Sequence, residues 1–128
     1  MRLKAEGWIK AYLRICSNAG AMAVVARHGD DDAGAVFVKT RGPDGQAQLF
    51  GPAPAGLDGQ DTERRWSVHL GKAETTEADV DAYLARQLSF DPDIWVIEVE
   101  DRDLRHFLDD WLEKPVRDWD QLGSGKLS

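Results

Sequence analysis

Ile94-Trp95-Val96-Ile97 is a continuously apolar run, and it narrows the possible folds more than any other feature of this chain. A strand with one wet face alternates polar and apolar side chains. An unbroken apolar run, halted upstream by Asp91-Pro92, instead reads as a strand covered on both faces near the middle of a sheet. It is expected at the centre of the core.

The segments around it can be assigned from period and punctuation. Thr76-Glu77-Ala78-Asp79 places a capping residue three positions before an acid, and Val80, Tyr83, Leu84 and Leu88 follow on one stripe, so a helix is expected from Thr76 to Asp91-Pro92. Residues 5 to 19 carry Trp8, Ile9, Tyr12, Leu13 and Cys16 at helical spacing, although Ile9, Ala11, Leu13 and Ile15 would also share one face of a strand. Helix is the reading adopted. Met22 to Arg27 and Gly34 to Thr40 are short Val- and Phe-rich runs separated by His28-Gly29-Asp30-Asp31-Asp32-Ala33, which reads as a hairpin. A second turn at Arg41-Gly42-Pro43-Asp44-Gly45 returns the chain along Gln46 to Phe50, extending the hairpin into an antiparallel meander. Arg65 to Leu70 alternates, with Trp66, Val68 and Leu70 on one face and Arg65, Ser67 and His69 on the other. Leu104, Phe107, Leu108, Trp111 and Leu112 recur at three and four residues before Pro115, which predicts a third helix.

Charge and cysteine content limit the class of protein. The formal net charge of −7 argues against non-specific binding to phosphate backbones or anionic lipid. That charge is uneven: residues 1 to 26 hold four basic groups and one acidic, residues 73 to 128 fifteen acidic and six basic. The second half could steer a basic partner protein, or simply be a solvated face. No window reaches the about eighteen apolar residues of a membrane span, nothing at the N-terminus resembles a signal peptide, and Cys16 is the single cysteine. A cytoplasmic location is expected.

Candidate chemistry is sparse. Cys16, His28, His69 and His106 are scattered with no pair at ligand spacing, so no metal site and no cofactor are expected. Cys16 falls on an apolar stripe, where a thiol packs as a small hydrophobe. Asp30-Asp31-Asp32 lacks the alternating ligands of a calcium loop and suits a turn. Gly123-Ser124-Gly125-Lys126 lacks the first glycine, the strand and the helix of a phosphate loop. Arg64 and Arg65 adjoin a long connection at 51 to 64, and two guanidinium groups there could grip a carboxylate or phosphate. Asp91 and Asp93 sit between a helix end and the central strand, with Arg86 near enough to pair with either. Among five tryptophans, Trp8, Trp66, Trp95 and Trp111 lie on core stripes, and Trp119 is the candidate anchor to another protein.

One resemblance emerges from these segments taken together. Ala19-Gly20-Ala21 through Val24-Val25, Gly29-Asp30, Asp32-Ala33-Gly34-Ala35-Val36 and Lys39, with Arg64-Arg65-Trp66, Tyr83-Leu84-Ala85-Arg86-Gln87 and Phe90 to Glu98, resemble a small bacterial family known as the domain of unknown function numbered 1491. The resemblance covers roughly residues 3 to 112, and Phe90-Asp91-Pro92-Asp93-Ile94-Trp95 is its most specific part. It implies a single bacterial domain and transfers no activity, ligand or catalytic residue.

The expected fold is therefore α+β: one domain over residues 1 to 115 in the order α-β-β-β-β-α-β-α, helices packed on one face of a mainly antiparallel sheet, and a tail from 116 to 128. Two functions compete. One is an interaction or regulatory module meeting another protein through the acidic half and Trp119. The other is a small-ligand binder or enzyme using the 51 to 64 loop with Arg64, Arg65, Asp91 and Asp93.

Overall fold

A computed structural model describes residues 4–54 and 64–112 of the chain. The expected tail with Trp119, and most of the 51 to 64 connection, lie outside the described residues. Seven elements follow one another: α1 (Ala5–Asn18), β1 (Met22–Arg27), β2 (Val36–Arg41), β3 (Ala47–Pro52), β4 (Trp66–Leu70), α2 (Glu77–Phe90) and β5 (Trp95–Glu100). The fold is an α+β domain whose five strands form one mixed, mostly antiparallel sheet in the order β1-β5-β2-β3-β4.

As its apolar run requires, β5 is an interior strand. It pairs antiparallel with β1 and parallel with β2. Alternate residues then enter two separate cores. Trp95, Ile97 and Val99 join Trp8, Tyr12 and Cys16 of α1 on one face, while Ile94 and Val96 join Val80 and Leu84 of α2 on the other. The expectation that helices share one face is thus corrected: α1 and α2 cover opposite faces, because a strand apolar on both sides needs a layer on each.

The first hairpin is also corrected. β1 and β2 are antiparallel but not neighbours, since β5 lies between them. Two strands flanking a third stand about 10 Å apart, twice the spacing a tight turn bridges, and residues 28 to 35 span that gap across the start of β5. The crossing needs close backbone approach. A Cβ on Gly29 would lie 2.3 Å from the Asp93 carbonyl oxygen, and one on Gly34 2.6 Å from the same atom. Asp30 N–H donates to Asp93 O at 3.0 Å, and Trp95 Nε1–H donates to Asp30 O at 2.7 Å. The meander survives as β2-β3-β4.

α2 starts where the capping pattern places it. Thr76 Oγ1 accepts the Asp79 N–H at 3.2 Å while Asp79 Oδ2 accepts the Thr76 N–H at 2.9 Å, closing a capping box. β4 departs from simple alternation. Its register with β3 shifts between Leu49 and Phe50, so Trp66 enters the α1 core whereas Leu70 packs with the α2 core. An extra residue in one strand reverses the faces beyond it.

The predicted third helix does not form over residues 101 to 112, which are turns and irregular backbone. Leu104 and Phe107 take left-handed conformations at φ 58° and 57°. The three-and-four spacing there reflects apolar contacts of a loop: Leu108 is fully buried, and Phe107, Trp111 and Leu112 pack around the α1 core. Trp8 is stacked on Tyr12 at 4.8 Å and on Trp66 at 4.0 Å, with Trp111 edge-on at 5.3 Å.

Replacing Gly29 with alanine should cost at least about 2 kcal/mol of unfolding free energy in a urea titration, since backbone atoms of Asp93 and Ile94 occupy the methyl's place.

Candidate functional site

Three polar regions can be built upward from their residues. The first lies at the start of β5, where the Asp-rich turn meets the helix-to-strand connection. Asp30 Oδ2 accepts the Ala33 N–H at 2.9 Å and the Asp32 N–H at 3.2 Å, the backbone role that turns give aspartate. Arg64 is buried and donates to Gly34 O at 3.1 Å and Asp32 O at 3.2 Å, fastening this loop. Asp91 Oδ1 accepts the Asp93 N–H at 3.0 Å, and Arg27 donates to Pro92 O at 2.8 Å. The fold therefore brings Arg64, Asp91 and Asp93 to one end of the sheet, where the contacts above hold backbone. Arg65 donates to Asp110 O at 3.2 Å, and Arg86 lies 5.7 Å from the Tyr83 ring centre rather than against Asp91 or Asp93.

The second region is on the α2 face. Lys39, only 4% exposed, reaches Glu77 at 2.8 Å, Asp81 at 3.0 Å and Glu98 at 3.1 Å, and Arg41 lies 3.5 Å from Glu98. Burial works to lower the Lys39 pKa, but the three carboxylates prevail and hold it above its ordinary value. The Lys39 hydrogen bond likewise holds the Glu77 carboxyl below its ordinary range. A lysine kept charged in this way is an ionic clasp between β2 and α2, and its amine is a poor nucleophile. Sequence reasoning missed it because Lys39 occupies an inward position of an interior strand and its partners lie 38 to 59 residues away.

The third region is the loop after β5, where sequence reasoning expected a helix. Asp101 is buried; its carboxylate accepts the N–H groups of Asp103 and Arg105, both at 3.0 Å, and the Arg105 guanidinium at 2.7 Å. Hydrogen bonding to Arg105 brings the Asp101 pKa down to about 2 against the opposing effect of burial. His106 is turned so that Nδ1 accepts the Leu108 N–H at 2.8 Å, and burial keeps its pKa low. The neutral ring therefore carries its proton on Nε2. Tyr12 donates to His106 O at 2.5 Å, and its own ionisation is pushed far up, first of all by burial. Leu104, Arg105, His106, Phe107 and Asp109 line a depression of about 330 Å³. A second depression, of about 390 Å³, lies where the end of α1 meets β1. Neither is lined by Arg64, Arg65, Asp91 or Asp93.

Cys16 is buried, with its thiol pKa raised chiefly by that burial. Among the described residues, no three His, Cys, Asp or Glu side chains are grouped to hold a metal ion, and no helix is long and apolar enough to cross a membrane.

This architecture, among the described residues a five-stranded mixed sheet with a helix on each face, is that of a small α+β domain. Residues 3–109 match the family described as "Protein of unknown function (DUF1491)", and the chain belongs to that family. A crystal structure of a DUF1491 family protein from Caulobacter crescentus superposes with a TM-score of 0.72 at 42% identity, covering 89% of this chain and all (100%) of that one. An NMR structure of a DUF1491 family protein from the same organism gives 0.73 at 45% identity over 89% of this chain and 99% of that one. The solution structure of Atu0922 from A. tumefaciens gives 0.72 at 37% identity over 84% of this chain and 92% of that one. No curated protein matches.

The lowered Asp101 pKa has a definite sign. Its stabilising effect is fully present above the ordinary value of 3.8 and is lost as pH falls through about 2. Asp101→Asn should therefore flatten part of the acid limb of a stability-against-pH curve between about pH 4 and 2, measured by denaturant melts at each pH; an unchanged limb would remove Asp101 from the acid response.

Proposed function

We propose that this protein is an interaction module that takes up an extended segment of another polypeptide along the outer edge of β1. The observation that carries this reading is the edge itself. From Met22 to Ala26 it bears no charge and no proline, and Met22 and Val24 are 65% and 49% exposed. Strands left at the edge of a sheet ordinarily bear charges, prolines or cover, because their outward N–H and C=O groups are a template for another strand. Among the described residues no backbone group pairs with the outer side of β1. At the other edge, Trp111 and Leu112 engage β4 at Trp66, whose N–H donates to Trp111 O at 2.9 Å.

Strand addition draws affinity from main-chain hydrogen bonds and specificity from alternate side chains. The depression beside Leu13, Ala21 and Met22 offers room for one such side chain. A cytoplasmic setting belongs to this reading, supported by a single buried thiol and the absence of any disulfide partner for it. A small-ligand site different from the one expected at the 51 to 64 loop with Arg64, Arg65, Asp91 and Asp93 would use Arg105, the Nε2–H of His106 and the Phe107 ring around their own depression, with the Arg105 guanidinium 5.0 Å from that ring.

Affinity capture from a bacterial lysate at raised salt, with the intact chain and with Val24→Asp, tests the proposal. The expected outcome is a stoichiometric partner retained by the first and lost by the second, with β1 amides protected from hydrogen exchange in the complex. A partner held equally by both chains would place the interface elsewhere.

A further inference from the structure

We infer that the segment taken up at β1 is β1 of a second copy of this chain, the two sheets joining edge to edge about a two-fold axis. The inference rests on the strand-addition reading and specifies its occupant.

The distribution of apolar surface favours a strand over a helix or a globular face. Met22 and Val24 pair with Glu100 and Glu98 and so share the α2 side of the sheet. Ala23 and Val25 point to the α1 side, where Ile15 of α1 is also exposed. Both sides of one strand are therefore apolar and wet. A partner lying on either face would leave the other uncovered, whereas an added strand extends cover to both.

Self-pairing also satisfies the chemistry of opposed positions. Residues opposed across an antiparallel ladder must point to the same face, so a two-fold axis normal to the sheet passes midway between the two copies of one residue, which oppose each other. Centred on Val24, it sets Val24 against Val24, Ala23 against Val25 and Met22 against Ala26. Every pair is apolar and none opposes like charges. The register shift between Val25 and Arg27 ends the ladder before Arg27, whose guanidinium is turned to Pro92 O. Electrostatics point the same way. Met22 to Ala26 carry no charge, so the ladder itself brings no like charges together. The nearby acids are Glu98, which is paired with Lys39 and Arg41, and the exposed Glu100. So short a ladder falls below the about 800 Å² per partner of a standard interface, so the dimer is weak and reversible.

Sedimentation of the full chain from about 10 to 500 µM should show the mass rising from 14.3 kDa toward twice that value, with exchange protection gained at outward β1 amides. Val24→Lys and Val24→Glu should each stay monomeric, while their equimolar mixture should pair again because opposite charges then meet. Met22→Lys supplies a second variant should either fail to fold, and it too should stay monomeric. A wild-type chain that remains at 14.3 kDa throughout, or a Val24→Lys chain that associates as wild type does, overturns the inference. If the chain alone is monomeric yet a captured partner protects β1, strand addition stands and the second copy falls. If β1 gains protection in neither experiment, both fall.

Discussion

A strand hydrogen-bonded along both edges and buried on both faces leaves its neighbours few choices, and β5 is such a strand. β1 and β2 must flank it, in opposite directions relative to each other. One helix must cover each face, because Trp95, Ile97 and Val99 point one way and Ile94 and Val96 the other. The long return from β4 through α2 follows from this. β4 and β5 run parallel with β3 and β2 between them, so the connection crosses the sheet and covers a face on its way.

The polar residues near β5 are arranged by the same constraint. Threading residues 28 to 35 past the start of β5 buries Gly34 and half-buries Gly29 and Ala35, and inward amides and carbonyls must find partners. Arg64 supplies two donors to that loop, the Trp95 indole a third, and Asp30 and Asp91 accept N–H groups within their own turns. Arg64, one of the charged residues that look like a ligand grip in the sequence, thus donates to the crossing. Pro92, Asp93 and Trp95, at the join of α2 and β5, are the residues that Arg27 and the crossing contact.

Function is a matter of what the fold leaves undone. Among the described residues, α1, α2 and the loop after β5 pack on the two faces and the 111–112 segment engages β4 at Trp66, while along the outer edge of β1 backbone and apolar side chains face solvent together. The interaction proposed for that edge needs no catalytic constellation. It accords with ionisable groups such as Lys39 and Asp101 being occupied by close partners.

Local information in the sequence determined a good deal. It marked α1, the bounds of β1, the capping box of α2, the stop at Asp91-Pro92 and the interior place of β5, because each depends on side-chain period or on a residue's own backbone preferences over a few positions. It misled where apolar spacing had two physical origins. Leu104, Phe107, Leu108 and Trp111 repeat as a helix would, yet the buried Asp101 accepts N–H groups of its own loop and the chain runs on with two left-handed residues. Nor could Lys39 announce its clasp, or Arg64 its loop, since their partners come from distant elements. Only tertiary structure decided that β5 separates β1 from β2, that the helices take opposite faces, and that β1 is, among the described residues, an open edge. Those outcomes depend on which non-local pairings bury the most apolar surface while satisfying every backbone group, a competition among distant segments that local sequence does not encode.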